Sequence, residues 1–221
     1  MTIRLKSFLT FAVLFLIANG VFAQRKKLAD VPWAPPADLD LPGDVAPNPT
    51  VSKAMITALR LGRMSIRLER TELAAVRERF GGEEGSRGDA SSALGWLCYG
   101  GQDAGGRWAL WLTSSEMDGP SIGSFELRRV AENSHFDPRC AQLPQGTEIA
   151  LSFVPLRLGI SQSKVFELLG KPTTCRGDIL DYEHNEERQI GHETYNFWNS
   201  VALRLLNGTV DSIRATETDA D

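Results

Sequence analysis

Slid along itself by 89 positions, the chain brings Val76 onto Val165, Glu78 onto Glu167 and Gly81 onto Gly170, and the triplet Arg87-Gly88-Asp89 onto Arg176-Gly177-Asp178, without a gap. A helical stretch, a glycine stop, a loop and a charged turn thus recur in order, the mark of a duplicated structural unit. Two copies of one small unit imply a scaffold with a shared surface rather than a pocket built once for chemistry. The expected fold class is therefore α+β: two tandem units, each a short helix or helix pair packed on an antiparallel sheet of three to four strands.

Residues 1–23 read as a cleavable secretory signal. Arg4 and Lys6 form its positive start, Phe8 to Ala18 its apolar core, and Val21-Phe22-Ala23 a small-residue cleavage site before Gln24. The apolar run falls short of the ~20 residues a membrane-spanning helix needs. No cysteine precedes Cys98, so no lipid anchor is expected at the cleavage point. The implied location is extracytoplasmic, periplasmic or secreted. Loss of the two signal cations leaves 24 − 2 = 22 basic residues against 28 acidic ones. That acidic balance argues against nucleic acid or an anionic lipid surface as partner.

Cys98, Cys140 and Cys175 are an odd set, so at most one intrachain bridge can form in an oxidising compartment. Cys98–Cys140 is the expected pair, tying the first strand of copy one to the segment that leaves it. Cys140–Cys175 is the competing pair. No two cysteines stand at CxxC spacing, which argues against a cysteine metal site.

Residues 24–50 carry six prolines and read as an extended, largely disordered leader in which Trp33 is an isolated aromatic. The first unit spans 51–131. Its helix is expected over Thr71–Phe80, with Thr71 as N-cap and Gly81-Gly82 as the stop. Strands are expected at Leu94–Tyr99, Arg107–Thr113 and Ser124–Val130. A turn-rich linker covers 132–147. The second unit, 148–218, opens with the apolar run Ile149–Val154, and Ser161 caps a helix over Gln162–Leu169 that Gly170 ends. Strands follow at Ile179–Glu183, Thr194–Leu206 and Thr209–Thr216. The last two are joined by Asn207-Gly208, a pair suited to the two positive φ angles of a type I′ turn. With that turn Leu205 pairs with Val210, Arg204 with Asp211 and Leu203 with Ser212, leaving Val201, Leu203, Leu205 and Val210 on one face.

The stretch Leu158-Gly159-Ile160-Ser161, then Val165, then Leu168-Leu169-Gly170-Lys171-Pro172, followed by Tyr182 and a hairpin, resembles the opening of the SmpA/OmlA (BamE-like) family, within the β-lactamase-inhibitor-protein-like fold. The resemblance covers roughly residues 156–216. Copy one fits by internal analogy, with Leu59-Arg60-Leu61-Gly62 as an approach eight residues longer. The resemblance implies small α+β units. In β-lactamase inhibitor proteins two such units sit in tandem, and the resemblance implies that open sheet faces form a concave, aromatic-rich surface gripping a partner protein here as well. No contact residue carries over by motif.

Candidate chemistry is thin. Gly119-Pro120-Ser121-Ile122-Gly123 has the form G-x-S-x-G, but a strand rather than a helix is expected after the serine, so a hairpin loop is the better reading. The two Arg-Gly-Asp triplets stand at equivalent positions and read as turns rather than adhesion motifs. Asp178, Asp181, Glu183, His184, Glu186, Glu187, His192 and Glu193 cluster around one strand; an enzyme or metal-binding protein using residues 178–193 is the alternative reading. No catalytic residue, metal ligand or cofactor is assigned. Strand alternation sets Trp111 opposite Trp108, Leu110 and Leu112, and Trp198 opposite Phe197, Val201 and Leu203. Trp111 and Trp198, with Tyr99, Arg128 and Arg204, are the candidate partner-binding residues, Trp and Arg being typical interface anchors. The expected function is a non-catalytic protein-binding module whose partner is an extracytoplasmic protein.

Overall fold

The computed structural model describes residues 30–39, 56–89, 92–116, 118–151, 154–190 and 192–220. The expected signal over 1–23, and residues 24–29 and 40–55 between it and the first strand, lie outside that set. In chain order the elements are β1 (Ala58–Leu61), β2 (Met64–Arg67), α1 (Leu73–Phe80), β3 (Gly85–Arg87), β4 (Leu94–Asp103), β5 (Gly106–Ser115), β6 (Ser124–Arg129), β7 (Ala141–Gln142), β8 (Ile149–Leu151), α2 (Gln162–Leu169), β9 (Thr174–Arg176), β10 (Ile179–Ile190), β11 (Glu193–Leu206) and β12 (Thr209–Ala220).

Both helices form where their apolar spacing places them, burying Leu73 and Val76 in α1 and Val165 and Leu169 in α2. Ser161 caps α2 by accepting the Lys164 N–H at 3.3 Å. In α1 the N-cap is Glu72, which makes no side-chain cap bond. Thr71, the expected cap, instead accepts the Arg67 N–H at 2.9 Å and braces the turn before the helix. Gly81 and Gly170 end the helices at φ 72° and 79°, a backbone region that favours glycine.

The two halves are not separate, equal units. Each is a meander of one short and three longer strands, and the two meanders meet along their last strands. The sheet order is β3-β4-β5-β6-β12-β11-β10-β9, with β7 added in parallel to β4, making nine strands. At the seam β6 and β12 pair antiparallel, and Glu126 stands opposite Arg214. The physical reason is edge satisfaction: either meander alone would expose the unpaired N–H and C=O groups of a terminal strand. Nor are the halves equal, because only the first carries the β1–β2 hairpin. That hairpin pairs through β1 with β8 into a separate three-stranded sheet.

Local bonding nevertheless repeats. Ile122 N–H donates to Thr71 O at 2.8 Å, as Val210 N–H does to Ile160 O at 2.9 Å; Leu73 N–H donates to Pro120 O, as Gln162 N–H does to Gly208 O. The isolated bridges Glu72–Ser121 and Ser161–Thr209 match as well. The counterpart of Leu158-Gly159 is Leu68-Glu69: Glu69 (φ 57°) and Gly159 (φ 85°) both hold positive φ. Their N–H groups bond Ile122 O and Val210 O respectively. Leu61 instead ends β1, and Gly62 (φ 57°) starts the turn to β2. The longer approach expected in copy one is therefore replaced by an equivalent one, with glutamate in the left-handed position.

The Asn207-Gly208 turn has φ 52° and 75°, both positive as the type I′ geometry requires. Leu205 pairs with Val210, but a bulge between Arg204 and Leu205 then sets Arg204 opposite Ser212 and Leu203 opposite Ile213. Asp211 is the extra residue, which corrects the expected cross-strand register. Its carboxylate still holds Arg204 at 2.9 and 3.0 Å.

One face of the large sheet packs under both helices and the small sheet. Trp108, Leu110, Leu112, Phe125, Leu127, Tyr182, Val201, Leu203 and Ile213 are buried there in one continuous core with Leu59, Ile66, Val76 and Val165.

Candidate interaction face

The pairing register decides what the opposite face carries. Cys98 faces Trp111, Trp111 faces Glu126, Ala109 faces Arg128, Arg128 faces Ser212, and Ser212 faces Arg204. Trp198 lies on the same side, opposite Thr218. Four of the five expected anchors, Trp111, Arg128, Arg204 and Trp198, therefore share the face turned away from the helices. Tyr99 does not. It pairs with Leu110 in the core, is fully buried, and its hydroxyl donates to Gly81 O at 2.9 Å. Burial pushes that phenol well above its ordinary pKa, a shift that the nearby Arg77 partly counters.

The face is not open over its first half. Residues 31–39 of the expected leader lie on it as an ordered strap, and Trp111 beneath is only 1% exposed. Val31 anchors one end: its N–H bonds His135 O at 2.8 Å and its carbonyl accepts the Asp137 N–H at 3.0 Å. The Trp111 indole N–H points at the strap backbone, 3.2 Å from both Pro32 O and Trp33 O. Trp33 is not idle in a flexible segment. Its ring meets Trp96 edge-on with centroids 5.2 Å apart, and the Arg139 guanidinium lies 3.9 Å over it. Asp137 steadies Arg139 through two bonds of 2.9 and 2.8 Å. Val31, Cys98, Ala109, Trp111 and Cys140 thus form a second buried apolar cluster, separated from the main core by the sheet.

Farther along, Asp38 bridges the two expected arginines. One carboxylate oxygen pairs with Arg128, and the other lies 2.6 Å from Arg204 Nη1. Burial alone would raise the pKa of Asp38, but the bond to Arg128 and the charges of Arg128 and Arg204 outweigh it, so the carboxyl sits below its usual range. Each arginine also holds a carboxylate of the sheet itself: Arg128 Nε pairs with Glu126, and Arg204 grips Asp211. Glu126 is nearly inaccessible, and burial raises its pKa despite Arg128 and Arg214. Trp198 is half-buried on β11, six residues before Arg204.

Cys98 and Cys140 are bonded beneath the strap, and Cys175 is free and exposed, which removes the competing Cys140–Cys175 pair. Residues 119–123 form the loop between β5 and β6, with Ser121 bridged to Glu72. The Arg-Gly-Asp triplets lie at strand ends. Each closes a short strand, β3 or β9, and turns on Gly88 (φ 82°) or Gly177 (φ 63°). The acidic strand is divided between faces: Asp181 is fully buried against Arg176 at 2.7 Å, while His184 and Glu186 share the helix-side face with Nε2 and Oε2 3.3 Å apart. Among the described residues no group of three His, Cys, Asp or Glu side chains gathers as a cation site, and no helix is long and apolar enough to cross a membrane.

Trp33, Asp38, Trp96 and Arg139 are the contact residues that sequence reasoning missed. The signal for the strap was the recurrence of the apolar residues Val31, Trp33, Pro35 and Leu39 through the proline-rich leader; nothing local marked Trp96 or Arg139 as their partners. No protein family, curated protein or solved structure matches this chain.

Proposed function

We propose that the chain is a non-catalytic, extracytoplasmic protein-binding module, envelope-associated or inhibitor-like, that holds its partner on the sheet face turned away from the helices. The observation that carries this reading is the strap: that face already grips a polypeptide segment, and does so through Trp111, Arg128 and Arg204. Tryptophan and arginine are the side chains most enriched among interface anchors. The repeated bonding of the two halves supports an origin by tandem duplication, and with it the resemblance to β-lactamase-inhibitor-like proteins that use such a face. The Cys98–Cys140 bond is in keeping with an oxidising compartment, periplasmic or secreted.

The test is site-specific photo-crosslinking in the compartment to which the chain is exported. A photoreactive residue replacing Thr216 or Thr218 on the sheet face should trap one defined protein, identified by mass spectrometry. The same residue at Phe166, exposed on α2, should not. Capture from Phe166 alone would remove the proposal.

A further inference from the structure

The contacts of the strap divide by what they read. Trp111 offers its indole N–H to two consecutive backbone carbonyls, Pro32 O and Trp33 O, which the bend at Trp33-Ala34 turns to the same side. Trp96 and Arg139 form a slot that reads one aromatic side chain through an edge contact and a cation–π contact. Arg128 and Arg204 form a fork that reads one carboxylate.

The fork is built by the sheet, not by the strap. Arg128 stands on β6 and Arg204 on β11, on either side of β12. Arg128 spends its Nε on Glu126, and Arg204 its Nε and Nη2 on Asp211, with Ser212 at 2.9 Å from Nη2. Those bonds hold both guanidinium planes in place and leave Arg128 Nη2 and Arg204 Nη1 converging on one spot, which Asp38 fills. Two preoriented guanidinium edges aimed at one position suit an oxyanion, carboxylate or phosphate, and in this chain the occupant is the carboxylate of Asp38. Among the described residues the strap pairs with no strand of the large sheet; its backbone bridge, Val31 to Phe136, lies outside the named strands.

We infer, building on the function proposed above, that residues 31–38 sit in the partner groove as an internal ligand, and that the groove accepts segments of an external protein that bend as the strap does and carry a tryptophan and, five residues later, a carboxylate. Trp33 and Asp38 supply that spacing in cis. Between them the backbone bends at Trp33-Ala34 and turns at Asp38-Leu39, with Pro35 and Pro36 restricting the chain in between. An external segment therefore binds by displacing the strap, and the strap sets the threshold that a partner must exceed.

The test uses the whole mature chain and a fluorescent synthetic peptide with the sequence of residues 30–39, followed by anisotropy. In the chain carrying Trp33→Ala and Asp38→Ala the internal competitor is weakened. Its affinity for the peptide should exceed that of the unmodified chain by about tenfold or more. A peptide with asparagine in place of its aspartate at position 38 should bind that variant about tenfold more weakly, the loss of a charge-assisted contact. Because the fork is probed by changing the peptide, its own residues stay intact.

Equal binding by the two chains, or none by the variant, would overturn the inference. So would loss of the cooperative melting transition in the variant, since the strap would then be part of the fold. Exchange of straps between two copies, seen as a dimer that peptide does not dissociate, would overturn it as well. A variant that binds no peptide yet is still crosslinked to the same protein from position 216 or 218 would end this inference and leave the proposed function standing.

Discussion

The hydroxyl of Tyr99 donates to the carbonyl of Gly81 at 2.9 Å, tying the middle of β4 to the residue that ends α1. Tyr182 repeats the bond on Gly170, which ends α2, at 3.2 Å. Each phenol satisfies a carbonyl that a helix terminus leaves without an intrahelical partner. Tyr99→Phe and Tyr182→Phe should each cost about 1 kcal/mol of folding stability, measured by urea denaturation. The two losses should add, because the sites sit in opposite halves of the sheet. A neutral result at both would mean that these bonds do not tie the helices to the sheet.

The disulfide closes a separation of 42 residues, from the middle of β4 to the start of β7. In the loop-entropy account such a bridge stabilises by about 4 kcal/mol. Replacing both Cys98 and Cys140 by serine should lower stability by roughly that amount. Thiol titration of the unfolded, unreduced protein should count one thiol, Cys175. A count of three would contradict the pairing.

Docking of the strap should depend on acid through Asp38. Its folded pKa lies below the ordinary 3.8, so its contribution is complete above that value and is lost as pH falls through the lower, folded one. Glu126, which faces Arg128 and Arg214 beside it, has the opposite sign. Its folded pKa is raised above 4.5, so its contribution is complete below 4.5 and falls as pH rises through the folded value. Among the described residues, Asp38 pairs with Arg128 and Arg204, which in turn hold Glu126 and Asp211, and Arg214 pairs with Glu126. Fluorine NMR of protein labelled with fluorotryptophan should show the Trp33 signal shift toward that of exposed indole only in the acid step below 3.8. Asp38→Asn should abolish that step. An unchanged step in Asp38→Asn would show that another group releases the strap.

Much of the fold was legible because the signals were local. Asn207-Gly208 announced its hairpin, Gly170 and Gly81 announced their helix ends, and alternation set Trp108 and Trp111 on opposite faces. The joining of the two meanders was not legible, because no local pattern says whether β6 pairs with β12 or remains an edge. The bulge beside Arg204 escaped for a similar reason: the charge pair it preserves with Asp211 is the one that an unbroken ladder also predicts. Copy one's approach was misaligned because Glu69 occupies a left-handed position where glycine was the marker sought. The strap was hidden by composition, since proline-rich sequence reads as disorder until a specific surface is there to hold it.

The central claim is that the sheet face turned away from the helices binds the partner. It is tested most directly by measuring, for the protein trapped by crosslinking, affinity and melting temperature in Trp198→Ala, Trp111→Ala and Phe166→Ala. Trp198 is half-buried on that face, Trp111 is sealed under the strap, and Phe166 is exposed on α2. Trp198→Ala should weaken binding about thirtyfold, or roughly 2 kcal/mol, with little change in melting temperature. Trp111→Ala, which empties a buried site, should instead cost about 3–5 kcal/mol of stability. Phe166→Ala should change neither. Full affinity in Trp198→Ala together with loss of affinity in Phe166→Ala would place the partner on the helix side and contradict the account.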